Sequence, residues 1–265
     1  MFRNYFKTAW RTLGKSKAHS FINITGLSIG MAVAILIGLW MYDEISFNKN
    51  FDNYDRIAMV VQNVTNNGEV QTWKSMPYPL ANELRTNYGR DFKHIAMAVS
   101  MGDHMVAYGD KKLTTNGGYF EPEAAEMFSL QMVKGDRKAL NDPSSILLSE
   151  SAAKAYFGDA DPMNKILKID NHVDGKVAGV YKNFPYNCSF ADVDFIAPWE
   201  LFFNNSDGLK TMEDPWRPNF TSLFVQLNDN VDINQASAHI RDAKLKKVNP
   251  QLAKKKPTLF LDPMS

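Results

Sequence analysis

Residues 21–42 read FINITGLSIGMAVAILIGLWMY and carry no charged side chain. Rising about 1.5 Å per residue, these residues form a helix of about 33 Å, enough to cross a hydrocarbon core about 30 Å thick. Only a structure that pairs its own backbone groups survives where there is no water, so a stretch of this kind predicts a transmembrane helix over 21–42. No other stretch of the sequence is apolar for long enough to do the same.

Flanking charge orients the span. Arg3, Lys7, Arg11, Lys15 and Lys17 precede it without an intervening acid, whereas Asp43 and Glu44 follow it. The positive-inside bias therefore predicts a cytoplasmic N-terminus and an extracytoplasmic location for residues 43–265. A cleaved signal peptide is the rival reading, but it has a shorter apolar core and a small-residue cleavage site, where this chain has Trp40, Met41 and Tyr42 leading into acids.

Within the span Gly26, Gly30, Ala34 and Gly38 recur every four residues, with Thr25 and Ser28 as polar neighbours. Small residues in register let a second helix approach closely, which is how membrane helices associate in lipid, so the stripe is expected to be a packing face. Ahead of the span, residues 1–20 are expected to form a cytoplasmic amphipathic helix. Phe2, Phe6, Ala9, Trp10 and Leu13 fall on one face, and Arg3, Lys7, Arg11 and Lys15 on another. That pattern suits the boundary of an anionic lipid surface, with Trp10 and the cations as the membrane-surface residues. Gly14-Lys15-Ser16 resembles the end of a phosphate-binding loop, but position 9 is Ala where that loop needs Gly and no strand precedes it. Any ATP used by this protein must be bound by another chain.

A net charge of +1 and a pI near 7.8 leave no electrostatic footprint for nucleic acid. Cys188 is the single cysteine, so there is no disulfide framework. The sequons at Asn63, Asn187 and Asn219 are expected to be ordinary loop and strand residues.

After the span, residues 56–64 are rich in β-formers and end in the turn signal Asn66-Asn67-Gly68, which predicts a hairpin. Residues 80–88 have helical spacing behind Pro77 and Pro79, and 95–101 return to strand. The chain closes in a related way: a strand over 220–227, a helix over 233–248 capped by Asp232, and a strand at 259–261. The fold class is thus α+β, two strand–helix–strand units bracketing the outer domain, and such pairs commonly fold as one split βαβ sheet. Between them, residues 102–215 read as an inserted β-rich lobe of short strands, with helices at 122–128 and at 150–157, the latter capped by Ser149 and stopped by Gly158. The expected organisation is 1–20, 21–42, a lobe made of 43–101 and 216–265, and the insert 102–215.

No catalytic constellation stands out. The histidines at 19, 94, 104, 172 and 239 never fall at zinc-binding spacings, and one cysteine completes no thiolate site. Ser149 lacks a Gly-x-Ser-x-Gly elbow and reads as a helix cap. Met97, Met101 and Met105 beside His94 and His104 present soft ligands of the kind that select copper(I), but a turn at Gly102-Asp103 is expected to break their spacing, and methionine commonly fills cores. No metal or cofactor is expected. Lys244, Lys246, Lys247 and Lys254 to Lys256 read as a solvated basic face, and Trp199, Phe202, Phe203 and Trp216 as core.

The order of an aromatic, basic leader, FINITGLSIGMAVAILI, YDEISFNKNFDNYDRIAMVVQ, LSESAAKAYFGDADPMNKILKID and VAGVYKNFP resembles the MacB-like periplasmic core domain of FtsX-family ABC transporter permeases, over essentially the whole chain. The resemblance implies a permease subunit of a Gram-negative inner membrane, dimeric, served by a cytoplasmic ABC ATPase and in some systems by a periplasmic adaptor. It implies a porter-like lobe with a β-rich insert, and mechanotransmission: ATPase motion carried through the first membrane helix to drive efflux or release of an extracytoplasmic substrate. Such permeases carry three more membrane helices after the outer domain, whereas this sequence stops at LFLDPMS, so it is expected to be a fragment or an atypical anchored domain. The alternative reading is a membrane-anchored sensor or binding domain.

Overall fold

A computed structural model describes residues 2–15 and 17–264; Met1, Ser16, Ser265 and the side chains of Phe2, Ala9, Thr12, Leu13 and Gly14 lie outside the described residues. The apolar-face assignments of Phe2, Ala9 and Leu13 therefore go without a structural account. Two units separate between Phe47 and Asn48.

The first unit holds α1 (Phe2–Lys15) and α2 (Lys17–Ser46). Helix α2 is long and apolar enough to cross a membrane. It extends the expected span by four residues at each end, because its flanking polar residues continue the same backbone hydrogen bonding with no proline to stop them.

The second unit runs β1 (Ile57–Asn66), β2 (Glu69–Trp73), α3 (Pro79–Tyr88), β3 (Phe92–Tyr108), β4 (Lys111–Phe120), α4 (Ala124–Met127), β5 (Met132–Gly135), β6 (Ser145–Ser149), α5 (Glu150–Phe157), β7 (Ile166–Ile169), β8 (Val173–Tyr181), β9 (Phe195–Pro198), α6 (Trp199–Asn204), α7 (Asp207–Lys210), β10 (Thr221–Leu227), α8 (Ile233–Ile240), α9 (Pro250–Ala253) and β11 (Thr258–Pro263). Local chemistry explains several boundaries. Asn67 and Gly68, at φ of 52° and 87°, make the two-residue turn that joins β1 to β2. Ser149 Oγ accepts from the Ala152 amide to start α5, and Gly158, at φ of 62°, ends it.

These strands form one sheet in the order β11-β1-β10-β3-β4-β9-β6-β8-β5, with β2 on β1 and β7 on β3 and β8. Strands β1 and β3, joined through α3, flank β10, while β10 and β11, joined through α8, flank β1, all antiparallel. Alternation along the strands fills both faces. Met97, Val99, Leu223 and Val225 meet Leu80 and Leu84 of α3 and Ala236 and Ile240 of α8, whereas Ala96, Ala98 and Phe224 join Phe51, Phe120, Phe128 and Phe190.

Three expectations need correction. Gly102-Asp103 makes no turn: β3 runs on through it. A bulge absorbs the irregularity, with Ser100 at φ of 51°, Gly102 at 147° and the register with β4 shifting between Val99 and Gly102. The helix expected over 233–248 stops at Ile240, because the Arg241 carbonyl accepts from the Leu259 amide of β11 and turns follow. The basic face loses Lys244, which is buried.

Candidate functional site

The predicted packing stripe lies on α2, where Gly26, Gly30, Ala34 and Gly38 are all exposed and a Cβ added at Gly26, Gly30 or Gly38 would meet no heavy atom within 4 Å. On α1, Arg3, Lys7, Arg11 and Lys15 are exposed, as is Trp10, whose ring stacks on Phe6 at 6.4 Å. The histidine and methionine residues disperse. Met97 is buried, Met101 and Met105 are exposed, and His94 lies beside Glu123. Among the described residues no three His, Cys, Asp or Glu side chains gather as a metal-holding group.

The second unit opens on a closely tied polar residue. Asn48, 2% exposed and at φ of 59°, holds three segments together. Its amide donates to Asn187 O at 3.0 Å, its Nδ2 donates to Ser189 Oγ at 3.1 Å and Met264 O at 2.6 Å, and its Oδ1 accepts from the Ser189 amide at 2.8 Å. The Met264 amide in turn donates to Ile57 O at 3.0 Å, so the start of β1 and the end of β11 converge on this residue. Three positions on, Phe51 is buried against Phe128, Phe184 and Phe190, with ring centroids 5.4 to 6.3 Å away. A cavity of about 130 Å³ adjoins it, lined by Asn50, Ser129, Tyr181, Lys182 and Phe184 among others. Sequence reasoning missed Asn48 because its partners lie far along the chain; the one local signal is that asparagine tolerates a left-handed backbone.

Lys244 is the unusual cation. It is 4% exposed, and its Nζ donates to Gln62 Oε1 at 2.6 Å and Asn219 Oδ1 at 2.7 Å, while Gln62 Nε2 donates to Ser75 O at 2.6 Å. Burial pushes the ammonium down to about 8. The folded state thus holds this proton less tightly than the unfolded chain, and its contribution to stability grows as pH rises above about 8, up to the ordinary lysine range. Measured against Lys244→Met by chemical denaturation, the wild type is expected to gain about 2 kcal/mol between neutral pH and about pH 9.5. A difference that stays flat with pH contradicts the assignment.

Of the aromatic residues expected in the core, Trp199 is buried, with the rings of Phe202 and Phe203 each 5.8 Å from its own, while Phe202, Phe203 and Trp216 are only partly buried against the same core. Ser149 Oγ donates to Asp194 Oδ1 at 2.6 Å and accepts from the Ala152 amide at 3.0 Å, capping α5.

Comparison with known proteins agrees with this architecture. Similar folds are found in a domain of a protein designated a permease from Porphyromonas gingivalis (TM-score 0.68, 19% identity, covering 81% of this chain and 92% of that one). The periplasmic region of MacB from Actinobacillus actinomycetemcomitans is also similar (0.55, 16%, 80% and 93%). So is the extracellular domain of the noncanonic ABC-type transporter YknZ from Gram-positive bacteria (0.52, 11%, 77% and 99%). A search among curated proteins finds no match. The family model of the MacB-like periplasmic core domain matches residues 20–243, most of the chain, and the chain belongs to that family.

Proposed function

We infer that this chain is the N-terminal part of the permease subunit of an ABC transporter. In this reading α2 crosses the bacterial inner membrane, the N-terminus is cytoplasmic and the unit beginning at Asn48 is periplasmic. The family match is the observation that carries it. A cytoplasmic ABC ATPase supplies hydrolysis, this chain being no enzyme itself, and α2 transmits its motion outward for efflux or release of an extracytoplasmic substrate. The convergence of β1, β11 and the 187–189 segment on Asn48 supports transmission, since a displacement delivered there reaches the first and last strands of the domain together. Residues 43–101 and 216–265 act as a porter-like lobe of two split βαβ units and 102–215 as its β-rich insert, gripping substrate or a periplasmic adaptor.

The exposed stripe of Gly26, Gly30, Ala34 and Gly38 packs on other membrane helices or on a second copy in a homodimer, and α1 lies on the lipid surface through Trp10, Arg3, Lys7, Arg11 and Lys15. Replacing Gly30 by leucine puts a side chain where close approach is needed. The expected result is assembly in native membranes weakened about tenfold, equivalent to about 1.4 kcal/mol, as read by cross-linking. Undiminished cross-linking in that variant removes the stripe from the account.

A further inference from the structure

Strand β3 belongs to both parts of the sheet: Phe92 to Val99 pair with β10, and Ala98, Val99 and Gly102 to Tyr108 pair with β4 on either side of the bulge, with Val106 and Ala107 also on β7. The bulge at Ser100 to Gly102 is where the two parts meet, and Ser100 is held there at φ of 51°, a backbone region that costs a non-glycine residue energy unless its surroundings fix it. His104 supplies that fixing. Its ring is 8% exposed, with Nε2 2.6 Å from Ser100 O and Nδ1 2.6 Å from Asp170 Oδ2. Asp170, in the turn between β7 and β8, is itself seated on β3, its amide donating to Met105 O at 2.8 Å and its Oδ1 accepting from the Met105 amide at 3.0 Å.

A carbonyl and a carboxylate only accept, and a neutral imidazole has one N–H, so both contacts are hydrogen bonds only when the ring carries two protons. We propose that His104 is a protonation-dependent pin: as the imidazolium it locks the β3 bulge, and on losing a proton it releases one of the two bonds and frees the parts of the sheet to bend about Ser100 to Gly102. The titratable groups around the ring are few. Asp170 and His172 come from the β7–β8 turn, the latter with Nδ1 2.8 Å from Asp170 O. Tyr119 of β4 meets the ring edge-on at 6.0 Å; burial and the Asp170 charge push its phenol up, so it stays neutral. Tyr156 of α5 stands behind Thr115, the residue opposite His104 on β4, and burial pushes it up as well. Phe195 of β9 closes the site at 5.3 Å, and Asp103, the neighbour of His104, projects to the other face of β3 and pairs with Asn116.

The test uses the full chain in detergent micelles with ¹⁵N-labelled histidine, where the chain has only five histidines to resolve. His104→Gln identifies the His104 signals, and Asp170→Asn serves if that variant fails to fold. The expected result is two protonated ring nitrogens on His104 while both contacts are intact, as the two acceptors facing the ring require. A second arm places spin labels at Val70→Cys on β2 and Ile166→Cys on β7, both exposed in the parent. Their separation is expected to shift or broaden as the His104 ring loses its proton with rising pH, and to be independent of pH in the variant. A bare nitrogen on His104 at every pH at which the chain is folded overturns the proposal. So does a label distance unchanged on deprotonation, or one whose pH response persists without His104.

Discussion

Replacing Phe51 by alanine is expected to lower the stability of the domain by about 4 kcal/mol and its melting temperature by roughly 10 °C. The side chain is 1% exposed and touches the rings of Phe128, Phe184 and Phe190, so its removal forfeits both transfer free energy and the contacts lining the resulting void. The position gives this cost a functional meaning. Phe51 is the first fully buried apolar side chain after α2, three residues past the Asn48 knot, and the variant is expected to loosen the first segment of the second unit. The matched control is Val70→Ala on exposed β2, expected within about 0.5 kcal/mol of wild type. A Phe51→Ala loss below about 1 kcal/mol means that this segment is not anchored as described.

Gly117→Ala is expected to cost about 3 kcal/mol by overpacking, for an unrelated reason. Gly117 pairs with Gly102 of the β3 bulge on one side and with Phe195 of the parallel strand β9 on the other. A Cβ there would clash with the Cδ1–Cε1 edge of the Phe195 ring and lie 2.5 Å from the Phe195 carbonyl oxygen, so backbone as well as side chain must move. Gly89→Ala, at a site with no heavy atom within 4 Å and a φ of −58°, is the control that separates crowding from loss of glycine itself. Thermal or chemical denaturation of the two variants side by side decides the matter, and equal stabilities refute the crowding.

What could be read directly from residues were features whose cause is local. The α2 span follows from composition, the β1–β2 hairpin from Asn66-Asn67-Gly68, and α5 from Ser149 and Gly158, which cap it within eight residues. Features that depend on distant partners were illegible. Gly102 looks like a turn until β4 and β10 hold β3 straight on both sides of it. Lys244 looks solvated because the oxygens that accept from it, on Gln62 and Asn219, are brought together only by the sheet. The Asn48 knot joins residues 48, 189 and 264, and no periodicity links those positions. The repeat of Gly26, Gly30, Ala34 and Gly38 is plain in the sequence because it lies within one helix, where all four are exposed.

The claim at the centre is that this chain passes motion from a cytoplasmic ABC ATPase to its periplasmic domain. The most direct test is to cross-link the natural full-length protein in its native membranes, purify it and identify what travels with it. The prediction is an ABC ATPase in constant ratio to this protein, with ATP hydrolysis that falls when Phe51→Ala loosens the first segment of the domain. Purification of the cross-linked protein without any ABC ATPase, or with a signalling protein in its place, contradicts the account and moves the chain to the sensor reading.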